Sequence, residues 1–189
     1  MTHKLWQKKL ELSFSKLVID IVQFGSTTQE EANPNDLDIA VIFKSIPLKQ
    51  QLEEAQHIKK QLEKESALSI HINSFDMESL FDESNFAKEN ILISGMSIIS
   101  QKSFANRLGL SSRVQIGYSL KELAKREKIK CNYLLNGKGG KYGLLREYHG
   151  SLVKPGLIEV PPPAENIFIK ALREITPDIT IKRILVPLS

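Results

Sequence analysis

The chain of 189 residues has one cysteine, no arginine among its first hundred residues, and no apolar run near the ~20 residues that a membrane-spanning helix needs. Cys131, being alone, excludes an internal disulfide and accords with a reducing cytoplasm. The opening stretch MTHKLWQKKLELSFSKL alternates charged and apolar residues and lacks the continuous apolar core of a secretory signal, so neither export nor membrane association is expected. Internal repeats and low-complexity tracts are also missing. What remains is a chain long enough for one sizeable core, or for a core domain with a smaller attachment.

The net charge of +4 conceals two different halves. Residues 1–100 hold ten lysines and fifteen acidic residues, a net of −5; residues 101–189 hold sixteen basic and seven acidic residues, a net of +9. Between Lys102 and Lys154 twelve lysines and arginines meet only Glu122, Glu127 and Glu147. Such a positive stretch suits a phosphate-rich partner, nucleic acid above all, or equally a solvated helix face that docks on the acidic half. The charge shift places the expected boundary between an N-terminal domain (1–100) and a basic C-terminal domain (101–189), with no flexible linker between them.

Hydrophobic periodicity predicts a mixed α/β unit first. Leu5, Leu10, Leu12 and Phe14 fall loosely at helical spacing, and LVIDIVQF (17–24) reads as a strand ended by Gly25 and Ser26. TTQEEANPND supplies a short helix or turn, and a second strand spans 37–43. Leu48, Leu52, Ala55, Ile58 and Leu62 mark an amphipathic helix over 48–66, and ALSIHINSF (67–75) a third strand. Short helices follow around 77–82 and 86–94. Beyond them come a brief strand, a helix ended by Gly109, and a helix opened by Ser119 and Glu122 in capping-box spacing that runs to about residue 136. LLREYHG, LIEVPPP and ITIKRILVPL read as short strands, with a helix over 164–174 before the last.

Within this frame Asp36 and Asp38 are anomalous. Two residues apart on one strand, they point to the same side, about 6–7 Å apart along the chain. Like charges so placed oppose joint ionisation unless water or a cation intervenes. Upstream, Gly25 lets a ligand approach the backbone, and the turn that it opens presents free N–H groups to an anion. A phosphate cradle beside a magnesium site is the simplest chemistry for the four residues.

FGS (24–26), a nine-residue gap and DLDIAVIF (36–43), followed by a helix and a third strand, resemble the polymerase beta-like nucleotidyltransferase superfamily, specifically its minimal nucleotidyltransferases of archaea and bacteria. The resemblance spans about residues 14–100 and implies that superfamily's α+β mixed-sheet core. By that resemblance Gly25 and Ser26 would hold the phosphates of a nucleoside triphosphate, and Asp36 and Asp38 would ligate Mg²⁺ or Mn²⁺. A nucleoside monophosphate would pass to an acceptor hydroxyl, with pyrophosphate leaving. Active members carry a third acid on the third strand; here SIHINSF puts His71 in its place, with Asn73 next on that face. Imidazole suits Mn²⁺ better than Mg²⁺ and accepts a proton near neutral pH. His71 as ligand or base, catalysis with two acids, a site reduced to binding, and recruitment of Asp76 all remain open.

In the basic half, NGKGGKYG lacks the Lys-Ser/Thr ending of a P-loop, yet Lys138 and Lys141 flank glycines that permit close approach to a phosphate. Tyr118, Tyr133, Tyr142 and Tyr148, interspersed with basic residues, are suited to stack on bases or to pack in a core. A helix-turn-helix over 104–128 is disfavoured, because Val114 and Ile116 sit one residue off the apolar positions it requires. The expected activity is a cytoplasmic, metal-dependent nucleotidyltransferase with RNA as acceptor. The alternatives are a catalytically degenerate nucleotide- or RNA-binding module, and an antitoxin-type enzyme that modifies a partner protein.

Overall fold

The structure, a computed structural model, describes residues 3–139 and 141–188 apart from the side chain of Lys141. It is a mixed α/β chain in two compact units, the first comprising residues 3–28, 32–110 and 188 and the second residues 29–31 and 111–187. No helix among the described residues is long and apolar enough to cross a membrane.

The first unit is built on a four-stranded sheet. Strands β1 (Val18–Phe24) and β2 (Asp36–Phe43) form its centre, flanked by β3 (Ser69–Asp76) beside β2 and the two-residue β4 (Met96–Ser97) beside β1. β1 runs antiparallel to β2 and β4, whereas β2 and β3 are parallel, joined through α1 (Leu48–Leu62). The centre strands read as near-continuous apolar runs because both faces are covered. Leu37, Ile39, Val41 and Phe43 face α1 through Ala55, Ile58 and Leu62. Val22, Phe24, Ala40 and Ile42 pack on the other face against α2 (Met77–Phe81), α3 (Lys88–Ser94) and α4 (Phe104–Arg107), through Leu80, Ile91 and Phe104.

Two local expectations fail here. Leu48 and Leu52 lie outside the buried stripe of α1 and are half exposed or more; Gln51 replaces them, its amide donating to the Ile46 carbonyl at 3.0 Å. Near the N-terminus only Leu5–Gln7 turns, as a 3-10 helix, and Leu10, Leu12 and Phe14 pack from extended chain. The Gln61 side chain donates to the Ser13 carbonyl and accepts from its N–H, both at 2.8 Å, satisfying this backbone as a neighbouring strand would.

The second unit has its own sheet, in the order β10 (Ile179–Pro187), β5 (Leu110–Tyr118), β9 (Leu157–Val160), β8 (Ser151–Lys154). Val114, Ile116, Ile158 and Val160 line one face and meet α5 (Lys125–Asn136), α6 (Leu144–Glu147) and α7 (Glu165–Arg173) through Cys131, Leu135, Leu145, Phe168 and Leu172. Buried Glu165 fixes α7 to β10 by accepting both Arg183 Nε (2.9 Å) and Nη2 (2.6 Å). The period-two burial of Val114 and Ile116 explains why they missed the helix-turn-helix positions: they belong to a strand. The expected helix at Ser119 starts only at Lys125, where Glu127 accepts from the Ala124 N–H at 2.9 Å. Ser119 instead bonds to the approach of β10, its carbonyl accepting from Thr176 Oγ1. LLREYHG contains a helical turn, α6, in place of the expected strand.

Asp20 on β1 is fully buried, accepting from Ser97 Oγ at 2.6 Å and the Ile21 N–H at 2.8 Å, with Arg107 Nε 3.6 Å from its other oxygen. Burial pushes its carboxyl above the ordinary value despite these partners. Because Asp20 titrates higher in the folded than in the unfolded chain, its ionisation costs stability as pH rises through that window. Asp20→Asn keeps an acceptor for Ser97 and Ile21, so its stability relative to wild type is expected to improve as pH rises above the ordinary aspartate value of 3.8 in urea titrations. A relative loss over that range would mean that Arg107 outweighs burial.

Candidate metal centre

The parallel register of β2 on β3 sets Asp38 beside His71 and Asp36 beside Ser69. Residues 36, 38 and 71 share the sheet face that carries Ala40 and Ile42, but lie at the end where no helix covers it, so their side chains are 38%, 33% and 62% exposed. His71 Nδ1 stands 3.5 Å from Asp36 Oδ2 and 3.9 Å from Asp38 Oδ1. One ligand atom from each of the three lies within 4.8 Å of the others. Burial raises the Asp38 carboxyl above its ordinary value, the Asp36 charge adds to the effect, and His71 opposes it.

The antiparallel pairing of β1 and β2 puts Phe24 opposite Asp38, so the turn after β1 starts at the acid pair. Gly25–Thr28 forms one 3-10 turn, held by Thr27 Oγ1 donating to the Phe24 carbonyl at 3.1 Å and Thr28 Oγ1 to that of Gly25 at 2.8 Å. Gly25 adopts φ +78°, and a Cβ there would come 2.6 Å from Asp38 Oδ2. Glycine is thus required twice, by conformation and by the carboxylate pressed against it. Ser26, next in the turn, is exposed.

The donor set suits a divalent ion. Neighbouring ligand atoms on an octahedral ion stand about 3 Å apart and opposite ones about 4 Å, so small torsional changes in three solvent-facing side chains would close this cluster to bonding distance. Two carboxylates and an imidazole fit manganese or a later transition ion better than magnesium. Residues 36, 38 and 71 are therefore brought together, with Gly25 against them. Asp76 is not. It pairs with Phe43 five residues along β2, and its carboxylate caps α2 by accepting from the Ser79 N–H at 2.8 Å, which lowers its pKa. Lys138 is exposed on the short strand β6 (Gly137–Lys138) of the second unit, and the Lys141 side chain lies outside the described residues.

The sequence reasoning missed the two threonines that lock the turn. Their signal was present: hydroxyl residues three positions after Phe24 and Gly25 are placed to accept the role of backbone partners. Comparison with protein-family models, with curated proteins and with solved structures gives no match.

Gly25→Ala is expected to destabilise the chain by about 1–3 kcal/mol through its positive φ. By displacing Asp38 it should also weaken Mn²⁺ binding about tenfold. Denaturant titration and calorimetric Mn²⁺ titration measure the two effects separately.

Proposed function

We propose that the first unit is a polymerase beta-like nucleotidyltransferase and that the protein works in the cytoplasm, transferring a nucleoside monophosphate from a triphosphate to a hydroxyl acceptor, RNA being favoured by the charge of residues 101–189. The observation that carries this reading is the convergence of Asp36, Asp38 and His71 on one point beside a glycine with no room for a side chain. Two strand pairings and a turn support it further: an antiparallel β1–β2 pair, a parallel β2–β3 pair, and a turn at the end of β1 that opens onto the acids.

In this reading Asp36, Asp38 and His71 hold Mg²⁺ or Mn²⁺, which supplies charge neutralisation at the transferred phosphoryl group. Gly25 and Ser26 accommodate the phosphates, the first by admitting a close backbone approach and the second by an exposed hydroxyl. His71 cannot be a ligand through Nδ1 and accept the acceptor's proton at that atom, so its first role here is to bind.

Purified protein incubated with labelled nucleoside triphosphates, Mn²⁺ or Mg²⁺ and RNA should transfer label, and Asp36→Asn should lower the rate by at least about a hundredfold. Transfer that survives the substitution rejects the assigned site. His71→Asp, which restores the third acid, is expected to raise Mg²⁺-supported transfer several-fold relative to Mn²⁺-supported transfer, read as the ratio of initial rates. A second reading, a module that binds nucleotide without turnover, is favoured by His71 in the position of that acid. Calorimetric binding of triphosphate with no pyrophosphate released under either metal would select it.

A further inference from the structure

A second feature lies wholly within the second unit. Helix α5 is amphipathic in an unusual way: Cys131 and Leu135 enter the core, while its first six residues, Lys125–Lys130, are all exposed. Lys128, Asn132 and Asn136, at i, i+4 and i+8, form one edge of a groove of about 820 Å³. The facing wall is the chain from Tyr118 to Lys121 and the turn at Pro155–Gly156 between β8 and β9. This volume is at the upper end of ordinary ligand sites, so the groove has room for more than a small metabolite.

The lining has three chemical parts. Lys121 and Lys128 supply positive charge at one place, Lys128 Nζ donating to the Lys121 carbonyl at 3.0 Å, which holds the two chain segments together. Asp178 is the acidic residue of the lining. Tyr118, half buried against the core, supplies a flat apolar surface; burial raises the phenol's pKa, so the ring is neutral at physiological pH. Asn136 Nδ2 donates to Asn132 Oδ1 at 2.8 Å, so each amide keeps its other polar atom for a ligand. Exposed Lys125, three residues before Lys128 on the same helix face, and exposed Lys154, next to Pro155 of the lining, add positive charge beside the groove.

A ligand matching these parts has anionic groups repeated along a chain, flat rings that stack, and ring edges with donors and acceptors. We propose that this groove binds a single-stranded polynucleotide, with Lys121 and Lys128 at phosphates, Tyr118 beneath a base and the Asn132–Asn136 pair at a base edge. A duplex would keep its bases from Tyr118, and an acidic peptide would leave the ring and the amide pair without matching groups. The inference rests on the acceptor half of the reading above, a polynucleotide rather than a protein, and needs no catalysis.

The test uses the full chain and a fluorescently labelled 12-nucleotide RNA of mixed sequence, followed by anisotropy at several salt concentrations. Lys121→Gln with Lys128→Gln is expected to weaken binding at least tenfold and to reduce the slope of log K on log salt by about 1.4, as two lost phosphate contacts require on a single strand. Tyr118→Leu should weaken binding about tenfold with the salt slope unchanged. Lys121→Arg with Lys128→Arg should restore affinity, which separates loss of contact from loss of fold. Wild type that binds RNA in this way but transfers no label would overturn the catalytic reading and leave the groove standing. Unchanged RNA affinity in the double glutamine variant, equal competition by a duplex of the same sequence or by polyglutamate, or no RNA binding by wild type would each overturn the proposal.

Discussion

The arrangement of the first unit depends on a repulsion. Asp36 and Asp38 occupy one face of a strand at the end left uncovered by the helices that bury its continuation, and Asp38 is partly desolvated there. Two carboxylates in such a place oppose each other's ionisation, and nothing in their own strand relieves it. Relief comes from neighbours: the imidazole of His71 at 3.5 and 3.9 Å across the parallel pairing, and water at the open end. The register of β3 is therefore chemically consequential. A shift of one residue would turn His71 to the α1 face and bring Ile70 or Ile72 beside the acids.

The two sheets solve burial in different ways. The first is covered on both faces, which takes the apolar residues of β1 and β2 entirely into cores and leaves the acidic surface to helices and loops. The second is covered on one face only. Its other face carries polar pairs such as Arg113 with Glu159 at 3.7 Å and Gln115 with Glu159 at 3.3 Å, and its outer strand β8 is exposed along its length.

The central strands, α1 and the convergence of the acid pair were legible because each has a strong local signal: short apolar runs rich in valine and isoleucine, a 3.6-residue period, and like charges two apart. The failures share a cause. Leu48 and Leu52 carry helical spacing but lie beyond the sheet edge that the helix covers, so periodicity alone overstated the buried stripe. Leu10, Leu12 and Phe14 also have period two, and a glutamine forty-eight residues away decides between the readings by bonding Ser13. β5 was hidden because LSSRVQIGY mixes serine, arginine and glutamine on one face, as a singly covered strand does. The groove in the second unit had a sequence trace in Lys128, Asn132 and Asn136, but its other wall comes from segments ten to fifty residues away, which no window on the sequence joins.

His71 also changes the electrostatics that a substrate would meet. Two carboxylates and an imidazole holding a divalent ion as proposed would balance its charge, whereas three acids would leave a negative remainder facing an incoming polyphosphate. The first arrangement favours holding a polyanion; the second favours deprotonating an acceptor, since a carboxylate near the ion raises local basicity without using a ligand nitrogen. On the proposed reading, an imidazole at this position trades some capacity to activate a hydroxyl for affinity toward phosphate. Asp76, the acid at the far end of β3, does not take the place of a third acid on that reading, because it is engaged as a helix cap and stands five residues of strand, about 17 Å, from Asp38's position.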